Sequence, residues 1–204
     1  MRRPAWLLVA KVAFALLGFS AVVTELATLA ERDRLVASNF FSFFTIQSNI
    51  LGVAALFLLV VVPPERRTPL FDGARTAAVL YMAITGVVFA LLLAGLQEDV
   101  QTSASWVDFV VHKLMPVVLV ADWFVDSPRH RLPWWTVLAW LAYPLAWFAY
   151  TLARGADVDW YPYPFVDVSD HGYGGVLGRA VVLAACFAAG GAALLWAANR
   201  RALR

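Results

Sequence analysis

The amino-acid sequence predicts an all-α integral membrane protein. It reads as a single polytopic bundle of six transmembrane helices filling residues 1–204, with both termini in the cytoplasm. Composition points there first. Of the 204 residues, 62% are hydrophobic and 15% are charged, and mean hydropathy is +0.72, whereas soluble domains are nearer half apolar and a quarter charged. Six apolar stretches then approach the roughly 20 residues that cross a bilayer as a helix. They cover about 5–30, 40–62, 76–96, 105–125, 134–153 and 175–197. Each run is continuous rather than alternating, so helices and not barrel strands are the spanning element. Finally, the arginines outside the spans sort to one side. The N-terminus, the 2–3 and 4–5 connections and the C-terminus carry Arg2, Arg3, Arg66, Arg67, Arg75, Arg129, Arg131, Arg200, Arg201 and Arg204. Only Arg32, Arg34 and Arg154 lie opposite, an asymmetry that puts both termini inside.

The first stretch follows Arg2-Arg3, is too long for a signal-peptide core and lacks a clear cleavage site, so it reads as a membrane helix. Glu31-Arg32-Asp33-Arg34 ends it. The second stretch carries Phe43-Phe44-Thr45-Ile46-Gln47-Ser48-Asn49 near its start and stops at Pro63-Pro64-Glu65-Arg66-Arg67. Gln97-Glu98-Asp99 follows the third. The fourth holds Val110-Val111-His112-Lys113-Leu114-Met115-Pro116 and gives way to Ser127-Pro128-Arg129-His130-Arg131. Between the fifth and sixth lies the longest separator, 154–174, with Trp160-Tyr161-Pro162-Tyr163-Pro164-Phe165. Tryptophans 106, 123, 134, 135 and 160 fall near span ends, as interfacial anchors do. Ala188-Ala189-Gly190-Gly191-Ala192-Ala193 in the sixth stretch permits close helix packing, within the bundle or between subunits of a homo-oligomer.

Several functions are set aside. A formal net charge of +2, with no basic run interleaved with exposed aromatics, implies no nucleic-acid partner. The single cysteine, Cys186, provides neither an intramolecular disulfide nor a metal framework. The three histidines form no ligand pattern with cysteines or carboxylates, so no metal or other cofactor is expected. GxSxG, HExxH and P-loop motifs are absent.

Polar groups inside hydrocarbon are costly and point to function. With the termini inside, Thr45 lies one to two turns below the outer surface. His112, about seven residues into its span, lies at a similar depth, on the order of 10 Å. Glu25, Arg179 and the aromatic segment 160–165 fall in the same outer layer. The inner half is sparse by comparison, chiefly Lys11 and Asp122, which snorkel or pair. Ser38, Ser42, Thr45 and Asn49 share one helical face, a stripe that also suits plain helix-to-helix hydrogen bonding. Asp108, four residues before His112, is placed to accept from one imidazole nitrogen and fix its tautomer. Pro116, four residues after, lacks an N–H for the His112 carbonyl and predicts a kink. Lys113 projects about 100° away from His112, to pair with Asp108 or Glu25, to snorkel, or to bind an anion. Arg179 is an interface anchor or a clamp for a carboxylate or phosphate. Trp160, Tyr161 and Tyr163 form an interfacial belt or a cap over a lipid cavity.

Three segments stand in a telling order: Thr45 after an aromatic pair, His112 to Pro116 with an apolar run ending in Asp122-Trp123, and Trp160 to Phe165. With the six stretches, they resemble the androgen-induced membrane protein family and its bacterial six-helix relatives. That resemblance implies an intramembrane threonine hydrolase of fatty acid esters of hydroxy fatty acids, with Thr45 and His112 as the essential pair. Phe109 and Ile46-Gln47-Ser48 depart from the family's pattern. The expected substrate is then a lipid or other fatty-acyl ester near the outer leaflet, and the expected location a bacterial cytoplasmic membrane. Thr45 would attack the acyl carbonyl, His112 would move the proton, Asp108 would orient His112, and Asn49 or a backbone N–H would hold the oxyanion. Lys113, Arg179, Trp160, Tyr161 and Tyr163 would contact substrate. The alternatives are a small transporter, with Glu25, Asp108, His112, Lys113 and Arg179 along a polar path, and a non-catalytic structural or partner-binding protein.

Overall fold

A computed structural model describes residues 4–93 and 104–202, and the chain is all-α over them. Helix α1 spans Ala5–Glu31, α2 Ala37–Ser42, α3 Phe44–Val61 and α4 Pro69–Val88, the last running on into a π turn at Phe89–Leu93. Helix α5, Ser105–Phe109, leads through a second π turn, Val110–Leu114, into α6, Met115–Val125. Helices α7, Thr136–Val158, and α8, Val168–Arg201, complete the chain. Gln97, Glu98, Asp99 and the terminal arginines 2, 3 and 204 lie outside the described residues.

Among the described residues five helices are long and apolar enough to cross a membrane: α1, α3, α4 with its π turn, α7 and α8. Of the six expected spans, 105–125 is the one not matched by such a helix. The fourth stretch, 105–125, is divided among α5, a π turn and α6. It also carries Asp108, Lys113 and Asp122, which dilute its apolar character. Large apolar side chains such as Leu16, Phe57, Leu91 and Val181 are 60% exposed or more. So much exposed hydrocarbon, spread over several helices, fits a lipid environment and not water.

The boundaries have local causes. Phe43 is extended (φ −67°, ψ 122°) and separates α2 from α3, so the second stretch holds two helices. Helix α4 starts seven residues before the predicted 76. Pro69 occupies its first turn, where no N–H is needed, and the Thr68 side chain accepts from the Phe71 N–H. In α8 the Asp167 side chain accepts from the Ser169 N–H. Gly172, at φ 63°, breaks the helix near its start, in a region of backbone space that only glycine enters without strain.

Helix α4 is the pillar of the bundle. Residues 76–82 are buried without interruption, a pattern of a helix surrounded on all sides. It packs on α3, α6 and α8, while α1 packs on α3 and α7 on α8. Glycines set two of the close approaches. A Cβ at Gly86 would lie 2.9 Å from the Pro116 Cβ, and one at Gly52 would lie 2.5 Å from the Leu119 Cδ1.

The Lys11 end of the bundle is richer in charge than the sequence suggests. Lys11 pairs with Asp122 and lies 3.2 Å from Asp126. Arg67 grips Asp126 bidentately at 2.7 and 2.9 Å. Arg75 bonds the Asp122 carboxylate at 3.1 Å and the Asp126 carbonyl. Both arginines are buried. They sit beside a charged connection in sequence and read there as loop cations, but their partners are 47 to 59 residues away. The expectation of few polar groups at the Lys11 end is therefore corrected. This network remains separated from the Thr45 end by Leu56, Val79, Met82, Met115 and Leu119, all 2% exposed or less.

Candidate active site

Thr45 is the second residue of α3, and the break at Phe43 decides its surroundings. The first N–H groups of a helix have no partner inside it. The Thr45 N–H donates instead to the Tyr163 hydroxyl at 3.0 Å, and the Thr45 Oγ1 lies 3.2 Å from the same hydroxyl. Tyr163 arrives from the α7–α8 connection, just before the short turn Pro164–Val166. Phe165 stacks on its ring at 5.2 Å, and Phe43 meets it edge-on at 5.5 Å. Burial pushes the Tyr163 hydroxyl above its ordinary value, against the opposing pull of its bonds to Thr45. The phenol therefore keeps its proton at neutral pH.

His112 sits in the middle of the second π turn. Its Nδ1 lies 2.9 Å from Asp108 Oδ1. With the carboxylate accepting from Nδ1–H, Nε2 is the basic nitrogen of the neutral ring. One face of the imidazole stacks on Phe89, with centroids 4.0 Å apart and planes within 10°. Phe89 opens the other π turn, and the close approach of Gly86 to Pro116 one turn earlier brings the two segments together. Two π turns facing each other across one histidine fit the tendency of such turns to mark functional sites.

Those π turns also change which carbonyl Pro116 leaves without a donor. In an ordinary helix Pro116 would deprive the His112 carbonyl of its donor. Here the Met115 N–H goes to the Val110 carbonyl, so the shifted register places the missing donor at Val111. Asn49 fills the gap. Its Nδ2 donates to the Val111 carbonyl at 3.1 Å and to the Thr45 carbonyl at 2.9 Å. With both amide hydrogens engaged, Asn49 ties the Thr45 turn to the His112 turn and has no hydrogen left for an oxyanion.

Thr45 and His112 line one polar cavity of about 260 Å³, together with Glu25, Arg34, Asn39 and Trp160. Among the described residues they share no direct hydrogen bond. Thr45 also lines a second, narrower cavity of about 80 Å³, walled by apolar groups such as Phe44, Ile84, Trp147 and Phe187. Tyr163 is the other residue common to both. The Thr45–Tyr163 contact is thus the partition between a polar and an apolar chamber.

The remaining candidates scatter. Trp160 lines the polar cavity, with the Arg154 guanidinium 5.1 Å over its ring. Tyr161 packs against Gly155. Lys113 is half exposed, 4.0 Å from Asp108. Arg179 is exposed, bonds His171 at 3.3 Å and lines neither cavity. Phe89 and Asn39 were not legible as site residues, since neither stands in a motif. Among the described residues no three His, Cys, Asp or Glu side chains converge on a metal position. No protein-family model, curated protein or solved structure matches the chain.

Proposed function

We propose that this protein is an intramembrane hydrolase of fatty-acyl esters, with Thr45 as nucleophile and His112 as general base. The observation that carries the reading is the position of Thr45 on the wall between two chambers, with His112, hydrogen-bonded to Asp108, lining the polar one. An ester is itself such a junction, with an acyl chain on one side and a more polar alcohol and water on the other. The resemblance of the Thr45, His112 and Trp160–Phe165 segments to the androgen-induced membrane protein family supports the same assignment. In this reading 105–125 is the fourth of six spans, and the Thr45 end faces outward. Both termini then lie in the cytoplasm of a bacterial cell.

The acyl chain occupies the apolar chamber and the alcohol part the polar one. His112 Nε2 takes the Thr45 proton as Oγ1 attacks the acyl carbon, and Asp108 holds the resulting imidazolium. The C–O bond to the alcohol breaks, and the same proton leaves with the alcohol oxygen. Water from the polar chamber then attacks the acyl-threonine, giving a proton to His112, which returns it to Oγ1. A continuous conduit for solute is opposed by the apolar layer of Leu56, Val79, Met82, Met115 and Leu119.

Labelling of membranes with an alkyl fluorophosphonate is the test. Wild type is expected to be modified at Thr45, with signal lost in both Thr45→Ala and His112→Ala. Equal labelling of all three would refute the hydrolase.

A further inference from the structure

Tyr163 carries one proton to give, and its hydroxyl oxygen already accepts the Thr45 N–H. The ring is buried, and among the described residues Thr45 Oγ1 is the one acceptor within reach, at 3.2 Å. A buried hydroxyl left without an acceptor is costly, so the phenol proton belongs to Oγ1. The 3.2 Å contact admits either direction, and with Tyr163 donating and Thr45 accepting the buried phenol proton is satisfied inside the protein.

The Thr45 proton must then go elsewhere. In helices a threonine hydroxyl commonly donates back to the carbonyl three or four residues earlier. Here those carbonyls belong to Ser42 and Phe41, across the break at Phe43. The Ser42 carbonyl accepts from Trp147 Nε1 at 2.8 Å, and the Phe41 carbonyl from Gln47 Nε2 at 2.7 Å. Thr45 donates to neither. The chain has filled the usual resting places of this proton with other donors and aimed a phenol at the oxygen.

We infer that Tyr163 is a positioning and activating donor for Thr45. Its hydroxyl fixes Oγ1 in place, leaves the threonine proton free for His112, and stabilises the negative charge that builds on Oγ1 as that proton departs. This rests on the hydrolase reading. A hydrogen bond to the charged form of a group favours that form, and the N-terminal end of α3 adds a field of the same sign. Tyr163 keeps its own proton throughout. The bond that forms is Oγ1 to the acyl carbon, the bond that breaks is acyl carbon to alcohol oxygen, and the transferred proton passes through His112.

The experiment is the concentration dependence of alkyl fluorophosphonate labelling in membranes, comparing wild type, Thr45→Ala and Tyr163→Phe. Tyr163→Phe is expected to lower the limiting labelling rate by about 10- to 100-fold, the range for a charge-assisted hydrogen bond. The half-saturating probe concentration should stay unchanged, because the chamber walls are kept. A purely structural cap would instead change the amount of folded protein, not the rate per folded molecule. Should Tyr163→Phe fail to fold, 3-fluorotyrosine at position 163 keeps the hydroxyl and makes it a stronger donor. The limiting rate is then expected to rise, and an unchanged rate overturns the inference. Wild-type labelling that depends on Thr45 but is equally fast in Tyr163→Phe overturns the Tyr163 role and leaves the hydrolase standing. Wild type that is not labelled at Thr45 overturns both.

Discussion

Asn49 offers a sharp test of how the site is held, because its role depends on a residue it does not touch. Replacing it with leucine keeps the branching and number of side-chain heavy atoms and deletes both side-chain hydrogen bonds. The Thr45 carbonyl also accepts from Ser48 Oγ at 3.1 Å, so losing Asn49 there removes one of several donors, worth about 0.5–1.5 kcal/mol. Val111 is different. Met115 N–H is committed to Val110, and Pro116 has no N–H to offer, so its carbonyl is left buried and unsatisfied, at about 1–3 kcal/mol. Some of this returns, since Asn49 Oδ1 is itself buried without a partner and disappears with the substitution. A net loss of about 1–3 kcal/mol is expected in unfolding of the detergent-solubilised protein. The decisive measurement is the same substitution in a Pro116→Ala background. Alanine restores an N–H at 116. Whether the turn stays π or relaxes to α, Val111 gains a backbone donor, from residue 116 in one register or 115 in the other. Asn49→Leu should then cost at least about 1 kcal/mol less than it does beside proline, well above the few tenths within which independent sites add. Equal costs in the two backgrounds would refute the compensation.

Other consequences follow from the same packing. Gly52→Leu is expected to destabilise by about 1–3 kcal/mol through overpacking against Leu119, read as a lower unfolding midpoint; a midpoint within error of wild type would contradict the close α3–α6 approach. Phe89→Leu removes the face under the His112 ring, worth about 0.5–1.5 kcal/mol, and should slow Thr45 labelling by up to about tenfold without abolishing it. At the other end, burial pushes the Asp126 carboxyl up, but the Arg67 hydrogen bonds and the charges of Arg75 and Lys11 outweigh it and hold it below the usual carboxylate range. A depressed carboxyl stabilises the fold above its unfolded value of about 4, and that contribution is lost as pH falls through the folded value. Asp126→Asn should therefore unfold more readily than wild type at pH 7, and the gap should close as pH drops below about 4. A gap that is constant with pH would place the stabilisation elsewhere.

What the sequence reveals divides along the distance between partners. The pair Asp108 and His112 is legible because four residues on a helix put both on one face, and the hydrogen bond is there at 2.9 Å. The apolar runs of α1 and α7 are legible for the same reason, since each needs only its own residues to declare a helix. Arg67 and Arg75 misread as loop cations because their carboxylates lie in another helix. Pro116 is an intermediate case. Its missing donor is a local fact, but which carbonyl suffers depends on a π register set by packing against Gly86 and Phe89. Tyr163 shows the limit most clearly. Its aromatic neighbours mark it as interfacial, and nothing nearby in sequence says that its hydroxyl reaches across 118 residues to Thr45. A cap residue such as serine or threonine normally satisfies the first N–H groups of a helix, but the cap of α3 is Phe43, which has no side-chain oxygen. A tyrosine does that work from outside, and the hydroxyl that caps the helix is also the one beside Thr45 Oγ1. The break at Phe43 and the reach of Tyr163 are therefore two parts of one arrangement.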